Sequence, residues 1–142
     1  MSQFRDVTDT FAASPQISLE EVSLAAEQGF KAIICNRPDG EDGGQLTANE
    51  ISVACAAHGL AFTHIPVAGG VGQIQVDQMA AALDAAGGPV LAYCRSGTRS
   101  TNLWAMAMAT NGADALELVD AAAGAGYDLS GLSTTLRALA SR

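Results

Sequence analysis

Pro89-Val90-Leu91-Ala92-Tyr93-Cys94-Arg95-Ser96-Gly97-Thr98-Arg99-Ser100 is the stretch on which the fold turns. A short apolar run, set off upstream by Gly87-Gly88-Pro89, reads as a buried strand that delivers Cys94 to its carboxyl end. Ser96-Gly97-Thr98 then bend the chain into a helical pattern, and the bend leaves several backbone N–H groups without intrahelical partners. Those groups, the positive end of the helix dipole and the guanidinium groups of Arg95 and Arg99 all favour a thiolate over a thiol. Cys94 is therefore expected to be an ionised nucleophile on the floor of an anion cradle. Its walls would be Arg95, Ser96, Gly97, Thr98 and Arg99. The competing reading is an ordinary strand-to-helix turn around an inert cysteine; two arginines flanking so short a loop favour the cradle.

Outward from this stretch the chain repeats one pattern. Ser18-Leu19-Glu20-Glu21 is a capping box opening a helix to residue 28, stopped by Gly29. Residues 31–36 read as a buried strand, and Arg37-Pro38-Asp39-Gly40-Glu41-Asp42-Gly43-Gly44 as a loop. A second capping box, Thr47-Ala48-Asn49-Glu50, opens a helix to His58, with Gly59 closing it. A strand over 61–67 follows, then the glycine-rich Ala68–Gly72 and a helix over 73–86. Beyond the Cys94 loop, residues 100–110, 113–124 and 131–141 read as helices, and Phe11-Ala12-Ala13 as a short edge strand. Strands alternating with helices predict an α/β fold with a mostly parallel central sheet and helices on both faces. Ligands bind beyond the carboxyl ends of such strands. Arg37, Val67 and Cys94 all end strands, so their loops are expected to converge.

At 142 residues the chain is read as one domain, residues 1–142. It is 49% hydrophobic and 5% aromatic, so alanine-rich helices are expected to pack closely. A net charge of −8 argues against binding nucleic acid or an anionic membrane surface. No apolar run approaches the ~20 residues of a bilayer span. The first residues lack a secretory layout, and three cysteines make no disulfide framework, so a cytoplasmic location is expected. Among seven basic residues, Arg37, Arg95 and Arg99 fall just after strands, where they would form a positive pocket for a small anion.

Two histidines and three scattered cysteines have no metal-ligand spacing, and no metal or other cofactor is expected. Cys35 and Cys55 read as small core residues, with Cys35 alternatively a resolving thiol for Cys94. His64 reads as core and His58 as a helix-terminal cation. Gly69-Gly70-Val71-Gly72 lacks the flanks of a nucleotide-binding motif and reads as a flap over the site.

A thiolate in such a cradle supports two covalent chemistries: attack on phosphorus to give a phosphocysteine, or on sulfane sulfur to give a persulfide. The loop resembles the active loops of two families. Cysteine-dependent phosphatases place five residues between cysteine and arginine, usually with histidine before the cysteine. This chain has four between Cys94 and Arg99, and Tyr93 before them. That length resembles the rhodanese sulfurtransferases. The wider pattern comprises Ser14-Pro15-Gln16-Ile17-Ser18, Ile33-Ile34-Cys35-Asn36-Arg37-Pro38-Asp39-Gly40-Glu41, His64-Ile65-Pro66-Val67, the Cys94 loop and Gly126-Tyr127-Asp128-Leu129. In this order, over residues 14–132, it is similar to the phosphatase-like domain of the bacterial beta-lactamase-hydrolase-like family. The resemblance implies a dual-specificity-phosphatase-like fold, with Cys94 as nucleophile, Arg99 as anion clamp and the Ser100 hydroxyl beside the thiolate.

Phosphatases carry an aspartate general acid on a separate loop, often the one after the strand matched by His64-Ile65-Pro66-Val67. Here that loop, Ala68–Gly72, has no carboxylate. Asp39 is the expected substitute, since Pro38 stiffens its loop and Gly40 lets it turn back, whereas Glu41 and Asp42 read as a solvated acidic turn. The expected function is hydrolysis of a phosphate ester on a small anionic substrate or a phosphoprotein. The alternatives are sulfur transfer through a persulfide on Cys94, and a non-catalytic anion- or partner-binding module.

Overall fold

The computed structural model describes residues 3–141. Its strands are β1 (Arg5–Thr8), β2 (Phe11–Ser14), β3 (Ala32–Cys35), β4 (Ala61–His64) and β5 (Val90–Tyr93). Its helices are α1 (Leu19–Glu27), α2 (Ala48–Ala57), α3 (Gln73–Ala85), α4 (Thr98–Thr110), α5 (Ala115–Gly124) and α6 (Ser133–Ala140), the last preceded by a 3-10 turn at Ser130–Leu132. The strands form one sheet in the order β1-β2-β5-β3-β4. Only the β1–β2 pair is antiparallel; β2–β5, β5–β3 and β3–β4 are parallel.

Side chains alternate across each strand, so each strand supplies both layers. Ala12, Ile33, Cys35, Leu91 and Tyr93 pack with Val22 and Ala25 of α1 and Ile51 and Cys55 of α2. Phe11, Ala13, Ala32, Ile34, Val90 and Ala92 face the other way, onto α3, α4, α5 and α6. Helices therefore cover both faces of a mostly parallel sheet. Helix α4 lies deepest. Leu103, Ala105, Ala107 and Ala109 have no exposed surface, and the Trp104 ring stacks on Phe11 with centroids 5.2 Å apart. Small side chains let neighbouring helices close on α4 from several sides.

Three boundaries differ from the sequence reading. Phe11-Ala12-Ala13 is an interior strand, buried throughout and paired on both sides. The edge is β1, in which Val7 alone is buried, as suits a strand with one polar, solvated face. Strand β4 ends at His64 rather than Val67, because the pairing with β3 slips by one residue beyond it. The chain nonetheless stays alongside β3 through Ile65 N–H to the Cys35 carbonyl, 2.8 Å, and Val67 N–H to the Asn36 carbonyl, 3.1 Å. Helix α4 starts at Thr98, two residues early, which tightens the Cys94 loop. Among the described residues no helix is long and apolar enough to cross a membrane.

Candidate functional site

Ser14, Tyr93, Cys35 and His64 lie in one row of register across β2, β5, β3 and β4, each the last residue of its strand. The loops after four parallel strands therefore leave the sheet at one edge. Cys94 N–H donates to the Ser14 carbonyl at 3.3 Å and Gln16 N–H to the Arg95 carbonyl at 3.4 Å, bracing the start of the cysteine loop from β2. From β3, Asn36 N–H donates to the Tyr93 carbonyl at 2.8 Å. The Asn36 amide also donates to the Ile65 carbonyl at 3.0 Å.

Within the loop, Gly97 N–H donates to Cys94 Sγ at 3.1 Å. Gly97 has φ +97°, the left-handed turn that aims this amide back at the sulfur. The first α-helical bond runs from Thr101 N–H to the Gly97 carbonyl, 3.0 Å, so the N–H groups of Thr98, Arg99 and Ser100 have no partner within α4. Side chains cap α1, α2 and α5, namely Ser18, Thr47 and Asp114, whereas none caps α4 beyond a long 3.4 Å contact from Thr98 N–H to Ser96 Oγ. Ser100 Oγ is buried without a hydrogen-bond partner among the described residues. An uncapped helix start and an amide on sulfur thus meet at Cys94, which itself has no exposed surface, while Ser100 Oγ makes no hydrogen bond to that sulfur.

Arg99 reaches across to the loop after β3. Its Nη1 donates to Glu41 Oε2 at 2.7 Å and to the Val67 carbonyl at 2.9 Å, and its Nη2 to Glu41 Oε1 at 2.9 Å. A guanidinium has five N–H donors in a fixed plane. These three bonds leave the Nε–H and one Nη2–H, the pair of parallel donors that grips an oxyanion side-on. Glu41 and, further down in effect, the Cys94 sulfur hold Arg99 firmly in its charged form. Glu41 therefore orients Arg99 without consuming its gripping edge.

The other residues anticipated at the site have different settings. Arg37 is 3% exposed and each of its three nitrogens holds a partner: Nε with Glu41 at 2.9 Å, Nη1 with Gln16 Oε1 at 3.0 Å, Nη2 with Asp42 at 2.8 Å. It anchors the acidic loop from beneath. Arg95 is largely solvated, 3.8 Å from Asp42. Asp39 Oδ1 accepts from Ala48 N–H at 2.8 Å and so caps α2. His64 is exposed on edge strand β4, with Nε2 3.0 Å from the Arg37 carbonyl, instead of in the core. Cys35 and Cys55 are core residues; burial pushes the Cys55 thiol up to about 11 and raises Cys35 as well. Among the described residues no group of three or more His, Cys, Asp or Glu is placed to hold a metal ion.

Glu41, Gln16 and Tyr127 are the site residues that reading by motif does not single out. The signal for Glu41 was its place in an acidic loop between an arginine and a glycine pair, which reads equally well as a solvated turn. The Arg99 hydrogen bond, aided by Arg37, lowers the Glu41 carboxyl from 4.5 to about 2. Because the folded value is the lower one, this link stabilises the fold above about pH 4.5 and fades as pH falls toward about 2. Glu41→Gln is expected to lower Tm near neutral pH by about 2–4 °C, the shift that about 1 kcal/mol from a partly solvated pair produces. Melts repeated down to strongly acid pH should show the gap between the two proteins closing.

Residues 3–111 match a known family model, Beta-lactamase hydrolase-like protein, phosphatase-like domain. The chain belongs to this family. It is 31% identical over 134 residues to the Beta-lactamase hydrolase-like protein of Xylella fastidiosa strain Temecula1, covering 93% of this chain and 31% of that protein. With the Agrobacterium fabrum protein of the same name it shares 38% identity over 104 residues, 72% of this chain and 24% of the relative. The chain thus spans a third or less of the length of the curated relatives it matches. A crystal structure from Neisseria meningitidis, described as that of a candidate phosphatase, superposes with TM-score 0.83 at 30% identity, covering 98% of this chain and 99% of the other. Pseudomonas aeruginosa TpbA, crystallised with phosphotyrosine, superposes at TM-score 0.65 over 99% of this chain and 91% of its own; at 17% identity it shares the fold. This family member therefore has the fold of the protein tyrosine phosphatases.

Proposed function

We propose that this domain hydrolyses phosphate esters through a phosphocysteine on Cys94. The observation that carries the reading is the pairing of Gly97 N–H on Cys94 Sγ with the free side-on edge of Arg99. The amide stabilises a thiolate, and the guanidinium edge binds two oxygens of a phosphoryl group held above it. In the first step sulfur bonds to phosphorus and the bond from phosphorus to the leaving oxygen breaks. In the second, water bonds to phosphorus, the P–S bond breaks, orthophosphate leaves and the water proton passes to solvent. The N–H groups of Arg99 and Ser100, and that of Thr98 on leaving its long contact with Ser96 Oγ, meet the equatorial oxygens in both steps, and the Ser100 hydroxyl turns to stabilise the returning thiolate. Ser96 and Arg95 shape the rim.

The leaving group needs an acid. Asp39, the candidate from the sequence, keeps Oδ1 on the amide of Ala48 and has its second oxygen to offer. Glu41 is held ionised by Arg99. Substrates whose leaving oxygen departs as a stabilised anion, such as aryl phosphates or phosphotyrosine, suit this site better than alkyl phosphates.

One observation favours a second reading, sulfur transfer. The loop is one residue shorter than in cysteine phosphatases and leaves Cys94 no exposed surface, and a shorter loop suits a single sulfur atom better than a phosphoryl group. Mass spectra of the intact protein after brief incubation with an aryl phosphate, beside a sample given thiosulfate, separate the readings. Gain of one phosphoryl group at Cys94 with release of the phenol supports the first. Gain of one sulfur atom from thiosulfate and no phosphoryl transfer replaces it with the second. Phosphate binding with neither adduct reduces the site to an anion-binding module.

A further inference from the structure

Tyr127 lies far along the chain from the cysteine loop, in the Gly126-Tyr127-Asp128-Leu129 segment, yet its hydroxyl donates to the Ser96 carbonyl at 3.1 Å. That carbonyl belongs to the same peptide group as the Gly97 N–H. The peptide is trans, so its C=O and N–H point in opposite directions. Holding the oxygen on Tyr127 therefore aims the N–H at Cys94 Sγ, 3.1 Å away on the other side. A hydrogen bond accepted by the carbonyl also polarises the amide and strengthens its N–H as a donor. One rigid plate is gripped at one end and serves the sulfur with the other.

The surroundings of Tyr127 are built to keep it there. Gly126, at φ +97°, ends α5, with Gly126 N–H on the Ala123 carbonyl at 3.0 Å and Tyr127 N–H on the Ala122 carbonyl at 2.9 Å. This paired helix-ending motif fixes the direction in which the next side chain leaves. The Arg5 guanidinium sits over the ring at 5.6 Å, and the residue is 6% exposed. At the far end the fit is tight: a Cβ on Gly97 would overlap the Tyr127 hydroxyl. Among the described residues no other side chain donates to the Ser96 carbonyl.

We propose that Tyr127 is a positioning residue for the nucleophile, setting the acidity of the Cys94 thiol through the Ser96–Gly97 peptide. The proposal rests on the reading of Cys94 as a thiolate nucleophile given above. It assigns the α5 terminus a role in the reactivity of a strand-end sulfur.

The test follows thiolate absorbance in the ultraviolet against pH, each protein being measured as its difference from the same protein carrying Cys94→Ser. This readout needs no reagent to reach the buried sulfur, and Cys55 titrates at about 11, far from the range of interest. Tyr127→Phe keeps the ring and removes one oxygen. Its Cys94 midpoint is expected to rise by about one pH unit, the scale of one lost hydrogen bond to a charged group. Para-aminophenylalanine at position 127 restores a donor at the same point and is expected to bring the midpoint back toward the parent value. An unchanged midpoint in Tyr127→Phe beside a low parent midpoint overturns the role of Tyr127 and leaves the nucleophile intact. Should the phenylalanine protein fail to fold, a para-aminophenylalanine protein whose midpoint stays high overturns it equally. A parent midpoint at the ordinary free-thiol value overturns both the proposal and the reading beneath it.

Discussion

Cys94→Ser is expected to abolish aryl phosphate hydrolysis, lowering turnover by at least about three orders of magnitude, while leaving phosphate binding in place. The size of the effect follows from losing the covalent route itself, since a serine hydroxyl in this setting has no adjacent base to ionise it. Arg99, which interacts with the sulfur, is a cation; Glu41 and Asp42 of the neighbouring loop are bound to arginines and Asp39 to the Ala48 amide. Retained binding follows from what the substitution spares. The α4 amides, Ser100 and the Arg99 edge are untouched, and the new hydroxyl inherits the Gly97 N–H that served the sulfur. Steady-state rates with an aryl phosphate and calorimetric titration with inorganic phosphate read the two halves separately. Wild-type turnover in the serine protein would remove Cys94 from the mechanism; loss of both turnover and binding would mean that the sulfur organises the cradle rather than reacting in it.

Gly97→Ala carries the second large effect, and here stability and activity fall together. At φ +97° an L-residue incurs about 1–2 kcal/mol of backbone strain. The added Cβ also meets the Tyr127 hydroxyl, and forcing extra volume into a packed site costs a further ~1–3 kcal/mol. About 3 kcal/mol in a chain of this size lowers Tm by about 10 °C. Relief by flipping the Ser96–Gly97 peptide would take the N–H off Cys94 and the carbonyl off Tyr127 at once. Hydrolysis at a temperature where the variant is fully folded is therefore expected to drop by about a hundredfold, as when one preorganised donor is lost from an anion site. Gly29, at φ +93°, offers the matched control: no atom lies within 4 Å of an added Cβ, so Gly29→Ala carries the backbone strain without the collision and without the site. A control that loses as much activity as Gly97→Ala would show that destabilisation alone explains the effect.

Much of this architecture is written locally. Two capping boxes, glycines at helix ends and short apolar runs marked α1, α2, β3 and β5 to within a residue or two, because caps and turn glycines act over four residues of chain. The cysteine loop was legible for the same reason: the strand end, the left-handed glycine and the uncapped helix start are consecutive. Strand β1 was not, since four residues with one apolar side chain make a strand only when β2 lies beside them. The start of α4 was placed late because Thr98 and Arg99 read as loop residues until Gly97 ends the turn.

The charged residues divide along the same line. Spacing alone placed Arg37, Arg95 and Arg99 after strands, and the family resemblance marked Arg99 as the clamp. Their fates diverge only in three dimensions: Arg37 is buried under Glu41, Asp42 and Gln16, Arg95 turns to solvent, and Arg99 keeps one edge free. Likewise Glu41 and Tyr127 reach the cysteine loop from 58 and 31 residues away along the chain. The sequence by itself determined the strand–loop–helix unit that carries Cys94, because backbone turns and caps depend on neighbours in the chain. Which carboxylate orients Arg99, and which distant hydroxyl holds the amide that faces the sulfur, was decided by the tertiary structure alone. A hydrogen bond depends on angle and on a few tenths of an ångström, and only the packed sheet and helices set those.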